Sequence, residues 1–98
     1  MPVRMRLMRM GAKKRAFYRI VIADARAPRD GKFIEIVGTY DPHKDGVEGV
    51  TLNREKALDW LKKGVQPTEP VLRILKWTGV WDEFQATKRK KVEKGLEE

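Results

Sequence analysis

The stretches VRMRL at residues 3–7 and FYRIVIA at residues 17–23 decide the fold. In the first, Val3, Met5 and Leu7 alternate with Arg4 and Arg6. A period of two puts one set of side chains on a core and the other on the opposite face, so the stretch is a strand that presents guanidinium groups outward. In the second, Tyr18, Ile20 and Ile22 share one face, and Arg19 shares the other with Phe17 and Val21. Its aromatic and β-branched content predicts a second strand. Between them, Arg9 to Arg15 contains Gly11 and the run Lys13, Lys14, Arg15, a segment too charged to bury, and it reads as an exposed loop. In these registers Arg4, Arg6 and Arg19 stand on one sheet face, and a slip of one residue would turn all three toward the core.

Working outward, Pro28, Arg29, Asp30 and Gly31 supply turn chemistry and predict a reversal. A third strand is expected over Phe33 to Tyr40, with Ile34, Ile36 and Tyr40 on one side and Phe33, Glu35, Val37 and Thr39 on the other. Gly38 within it marks a bulge or the close approach of another backbone. Asp41, Pro42, Asp45, Gly46 and Gly49 form a longer turn before a short strand at Val50 to Leu52. Asn53 caps a helix over residues 54–63, with Ala57, Leu58, Trp60 and Leu61 as its apolar stripe and Gly64 as its stop. Thr68 opens a second helix that packs Val71, Leu72, Ile74 and Leu75 inward and ends at Gly79. After Trp81 the pattern gives way to Lys88, Arg89, Lys90, Lys91 and mixed charge.

Strands followed by helices predict an α+β domain of two layers: a mostly antiparallel or mixed sheet of four to five strands, with helices on one face and the other face free. The division expected is a single domain over residues 1–80 and a charged, flexible C-terminal tail over residues 81–98.

The composition limits what such a domain can do. The 98 residues suffice for one core, and they include no cysteine, no serine and a single histidine, His43. Disulfides, thiolate metal sites and the common Ser or Cys nucleophiles are thereby excluded, and ordinary acid and base catalysis is disfavoured. His43, in a Pro- and Gly-rich loop, reads as a surface residue. No apolar run reaches the length of a signal-peptide core or a membrane span, so a soluble, unsecreted protein is expected.

The net charge is +8, and its placement carries the functional signal. Residues 1–40 hold ten bases (Arg4, Arg6, Arg9, Lys13, Lys14, Arg15, Arg19, Arg26, Arg29 and Lys32) against three acids, Asp24, Asp30 and Glu35. Residues 41–98 are nearly balanced, with twelve bases and eleven acids. Any one arginine can be explained by a solvated face or an ion pair, but three acids cannot neutralise ten bases. These ten form the candidate RNA-binding set. Fixed arginine forks grip phosphate oxygens and loop lysines add adaptable point charge. Phe17 and Tyr40 are candidate base-stacking residues, Tyr18 is assigned to the core, and the Lys88 to Lys91 run reads as solvated or as an additional RNA contact. The bases follow no zinc-finger, helix-turn-helix or basic-zipper pattern, which favours RNA shape and backbone over the DNA major groove.

Two other function classes fit parts of the chain. Asp24, Asp30, Glu35 and Asp41 are candidate Mg²⁺ ligands for a nuclease, although Val37 stands where a common nuclease arrangement has lysine. A protein-only adaptor is the third class.

Several motifs occur together and in order: Arg19-Ile20-Val21, Arg29-Asp30-Gly31, Gly38-Thr39-Tyr40-Asp41-Pro42 and Gly64-Val65-Gln66-Pro67-Thr68. From Val3 to Val80 the chain resembles the bacterial small-subunit ribosomal protein sixteen family. The resemblance implies an α+β fold and a cytoplasmic, ribosome-bound architectural protein. Such a protein binds the 5′ domain of small-subunit ribosomal RNA during assembly, beside neighbouring ribosomal proteins, with no enzyme activity, cofactor, membrane or small-molecule substrate. It places RNA contacts at Arg4, Arg6, Arg9, Lys13, Lys14, Arg19, Arg26, Arg29 and Lys32. The chain departs from the family at Ala16, where members often carry proline, and the resemblance assigns nothing after Trp81.

Overall fold

The computed structural model describes residues 2–28 and 31–97, with side chains through Lys88. Strands β1 (Val3–Ala12), β2 (Arg15–Asp24), β3 (Glu35–Tyr40), β4 (Val50–Leu52) and β5 (Gln66–Pro67) form one sheet in the order β4-β3-β2-β1-β5. The pairs are antiparallel except β1 with β5, which is parallel. Helices α1 (Arg54–Lys62), α2 (Glu69–Trp77) and α3 (Val80–Glu97) complete the element order, with a 3-10 turn at Gly46–Gly49. The turn residues Arg29 and Asp30 lie outside the described residues.

The long ribbon of β1 on β2 runs from Val3 opposite Asp24 to Ala12 opposite Arg15. The loop expected from Arg9 to Arg15 is therefore mostly strand, and only Lys13 and Lys14 make the turn. The charges at Arg9 and Lys13 to Arg15 and the glycine at 11 give this end a loop-like composition, which masks the pairing of Met10 with Phe17. Among the described residues no non-glycine has positive φ; near the turn that conformation falls on Gly11, at φ 85°.

Met5, Ile20, Ile22 and Val37 of the sheet pack against Ala57 and Leu61 of α1, Val71, Ile74 and Leu75 of α2, and Val80 and Phe84 of α3. This layer fixes the inner face. The first half of β3 departs from the expected phase: Glu35 and Val37 face the helices, while Ile34 and Ile36 are exposed. The reason is a bulge. Val21 pairs with Ile36 but Ile20 with Gly38, so Val37 is an extra residue that shifts the alternation. Tyr40 returns to the inner side beside Tyr18, as expected. Gly38 serves both roles read from sequence, because a Cβ there would collide with the Thr51 carbonyl of β4.

Asn53 caps α1 by accepting from the Lys56 backbone N–H at 3.1 Å. Thr68 starts α2 without a side-chain cap, and its backbone N–H instead donates to the Met5 carbonyl at 3.0 Å. That bond and the two-residue strand β5 dock the Gln-Pro-Thr connector on the edge of β1, where proline is tolerated because no partner needs its missing N–H. The sequence pattern shows no element after Trp81, yet α3 starts at Val80. Val80 and Phe84, four residues apart, bring its first turns into the core.

Glu35 joins sheet to helix. Trp60 Nε1 donates to its Oε2 at 2.7 Å and Lys56 Nζ lies 3.0 Å from its Oε1. The Lys56 ammonium and the Trp60 indole hold the carboxyl below its ordinary pKa. A depressed carboxylate pKa means that the unfolded chain takes up a proton first, so this contribution is complete above pH ~4.3 and is lost as pH falls through the folded value. Glu35→Gln should therefore be less stable than the parent at neutral pH, with the difference in urea midpoints narrowing below about pH 4; a gap that stays constant to about pH 2.5 would contradict the assignment. Gly38→Ala should cost on the order of 1–3 kcal/mol in the same assay, since the Thr51 backbone must move to admit the methyl group.

Candidate nucleic-acid interface

On the outer face the β1 and β2 registers deliver the arrangement that the alternation predicts. Arg4 stands opposite Ala23, Arg6 opposite Val21, and Arg19 opposite Met8. Val21 and Ala23 are fully buried and Met8 nearly so, although the helices lie on the other side of the sheet. Their cross-strand partners are the arginines, and Met10 packs against the same strip. The face is thus a small apolar strip under a cationic layer.

The three arginines are held differently. Arg4 is exposed and Arg19 is half-buried. Arg6 donates from Nη1 to the Ala27 carbonyl at 3.1 Å and from Nη2 to the Pro28 carbonyl at 2.7 Å, tying the β2–β3 loop over the sheet. Two of its five N–H donors are thereby occupied.

The remaining candidates do not share this face. Arg9 falls on the inner-face phase opposite Tyr18, past the helical layer, and its Nη2 donates to the Lys13 carbonyl at 3.2 Å. With exposed Lys13, Lys14 and Arg15 it forms a cationic hairpin end. Lys32 is exposed in the loop before β3. Arg29 lies outside the described residues, as do the side chains of Arg89, Lys90 and Lys91.

Arg26 is engaged by a carboxylate. Its Nε and Nη2 donate to Asp24 Oδ1 and Oδ2 at 3.2 and 3.1 Å, and its backbone N–H donates to Oδ1 at 2.8 Å. The pairing lowers the Asp24 pKa and raises that of Arg26. Among the described residues this is the only ion pair made by the ten candidate bases. Glu35, counted in the sequence as a local partner for them, is turned by the bulge to Lys56.

Phe17 is 40% exposed on the outer phase near the hairpin end. Tyr40 is half-buried on the inner phase, its ring centroid 6.2 Å from both Tyr18 and Trp77. Asp41 and His43 follow in the next loop, where the His43 backbone N–H donates to Asp41 Oδ1 at 2.9 Å. No motif along the chain groups these two with Phe17; only the pairing of β2 with β3 brings them near one another. The carboxylates considered for a metal are dispersed: Asp24 is on Arg26 and Glu35 on Lys56 and Trp60, and among the described residues no three of His, Asp and Glu converge. No described helix is long and apolar enough to cross a membrane.

Arg6→Lys keeps the charge but cannot fork to two carbonyls. The amides of Ala27 and Gly31, which donate to the Asp24 and Pro28 carbonyls, should then exchange with solvent faster than in the parent, while core amides on β2 stay unchanged. Equal protection at Ala27 and Gly31 would show that the loop does not depend on the fork.

The sequence model of the family described as ribosomal protein S16 matches residues 9–68. The chain is 54% identical to small ribosomal subunit protein bS16 of Clostridioides difficile over 91 residues, which is 93% of this chain and 100% of that protein. It is 55% identical to small ribosomal subunit protein bS16 of Geobacter metallireducens over 84 residues, 86% of this chain and 94% of the relative. The corresponding protein of Citrifermentans bemidjiense is 52% identical over the same shares.

Proposed function

The chain belongs to the ribosomal protein S16 family, and from that premise we propose that it is a non-enzymatic, structural constituent of the small ribosomal subunit. It binds small-subunit ribosomal RNA through the outer face of the β1–β2 ribbon and the hairpin end. The observation that supports this reading best is the outer face itself. Arg4, Arg6 and Arg19 project from adjacent strands, and no described carboxylate lies within ion-pair distance of any of them.

The mechanism is electrostatic and geometric. RNA segments repel one another through their phosphates, and a cationic surface that neutralises several phosphates removes part of that repulsion. Because the arginines stand on paired strands, the angle between the segments they hold is set by the sheet, whereas Lys13 and Lys14 at the turn adapt to the backbone they meet. The 5′ domain of the RNA is the region proposed, with subunit assembly as the role and neighbouring small-subunit proteins as further partners. The RNA-binding surface lies within residues 1–80 in this reading, and the first turns of α3 complete the core beneath it.

Arg4 and Arg19 make the sharper test, because Arg6 also holds a loop. The double variant Arg4→Ala, Arg19→Ala should weaken binding to a 5′-domain transcript and reduce the slope of log K against log[salt] by roughly 0.7–0.9 for each phosphate that is no longer neutralised. An unchanged slope in a folded variant would overturn the outer-face assignment. Binding that survives nuclease digestion of the partner would favour a protein-only adaptor.

A further inference from the structure

The β1–β2 ribbon outruns the rest of the sheet. The last pair of β2 with β3 is Tyr18 with Tyr40, whereas the hairpin continues to Ala12 opposite Arg15. The strand edge at Arg15 to Phe17 therefore faces the loop after β3 across a notch of about 420 Å³, lined by Arg15, Phe17, Thr39, Tyr40, Asp41 and His43. We infer that this notch holds one unpaired guanosine of the bound RNA, a step that rests on the RNA-binding reading above.

Size, stacking surface and charge agree on a nucleotide. The volume lies within the ~300–1,000 Å³ of small-ligand clefts. Phe17 offers an exposed ring at one wall, while Tyr40, on the inner phase and held beside Tyr18 and Trp77, closes the notch as a fixed aromatic wall. The exposed Phe17 ring can stack on a base. Arg15 at the rim and Lys13 and Lys14 at the turn supply cations for the flanking phosphates, and among the described residues none of the three pairs with a carboxylate.

Asp41 selects the base. A carboxylate repels phosphate, so within a cationic notch it points to a ligand that brings N–H donors. Its Oδ1 accepts from the His43 backbone N–H, which orients the group, and among the described residues no donor reaches Oδ2. An ionised carboxylate has about four acceptor sites, so those left after the His43 bond suffice for two further bonds. Guanine carries two adjacent donors, N1–H and the 2-amino group, on its pairing edge. Adenine and cytosine present one amino group beside an acceptor, and uracil presents one N–H between two carbonyls.

The test uses the full chain and fluorescein-labelled hexauridylates carrying one central guanosine, inosine or adenosine, read by fluorescence anisotropy. The guanosine oligomer should bind about tenfold more tightly than the adenosine one, with inosine, which lacks the 2-amino group, between them. Asp41→Asn preserves an oxygen for His43 and should abolish the preference. Phe17→Leu should weaken all three oligomers by roughly fivefold or more. If Asp41→Asn does not fold, the comparison of guanosine, inosine and adenosine on the parent chain decides. Equal affinities for guanosine and adenosine, or a preference that survives Asp41→Asn, would overturn the notch. Those results leave the RNA-binding reading standing if the 5′-domain transcript still binds with the expected salt slope. A guanosine preference without transcript binding would sink the general reading and retain the site.

Discussion

The ten-pair register of β1 on β2 is the constraint on which the rest of the structure depends. Side chains on a strand alternate, so a single alignment puts Met5, Ile20 and Ile22 under the helices and Arg4, Arg6 and Arg19 on the opposite face. Core and cationic surface are consequences of the same pairing. Neither can be moved without the other, because a shift of one residue in either strand would bury guanidinium groups and expose the core. The outer face reinforces the alignment through its own buried strip of Met8, Val21 and Ala23. A strand with apolar contacts on both faces tolerates slippage less than one whose outer side is merely solvated.

The parts of the fold that were legible in the sequence are those where burial alternates. Val3, Met5 and Leu7 against Arg4 and Arg6 mark β1, and Asn53 with Gly64 marks α1, because each signal comes from the residues that make the element. The continuation of the hairpin to Ala12 was not legible: Arg9, Gly11 and the Lys13 to Arg15 run carry a loop's composition, and the pairing of Met10 with Phe17 shows only in the strand register. The phase of β3 failed for another reason. Gly38 did reveal that a bulge or close approach occurs, but not which residue is the extra one. Placing Val37 there reverses Glu35, Ile34 and Ile36 together. Strand β5 consists of two residues and exists only through its pairing with β1, so no pattern in those residues could announce it. In α3 the Val80 and Phe84 spacing was present, but the following charges concealed it.

The same bulge changes the electrostatics of the candidate site. Read along the chain, Glu35 lies within the basic region and counts against its charge. In space it faces α1, where Lys56 and the Trp60 indole hold it. One of the few acids in the first forty residues is thereby withdrawn from the arginine face and used to join sheet to helix. Bringing so many like charges together opposes compaction, and the burial on the inner face must offset that repulsion. The fold thus keeps Arg4, Arg6 and Arg19 without described carboxylate partners at a cost in stability.

Arg6 shows how the surface and its loops are coupled. Its guanidinium is fixed by two carbonyls of the loop that leads toward Lys32 and β3, leaving three donors for a ligand. An arginine anchored in this way loses little further side-chain freedom when it meets a phosphate, whereas exposed Lys13 and Lys14 must be ordered on contact. In the RNA-binding role proposed above, the two ends of the ribbon would act by different physics: the sheet face would supply a preset angle and the hairpin tip adaptable charge. An angle can be imposed on RNA only by groups that do not move with it, so under that proposal the anchored Arg6 is the side chain fitted to set the geometry, and the turn lysines would strengthen whatever geometry it selects.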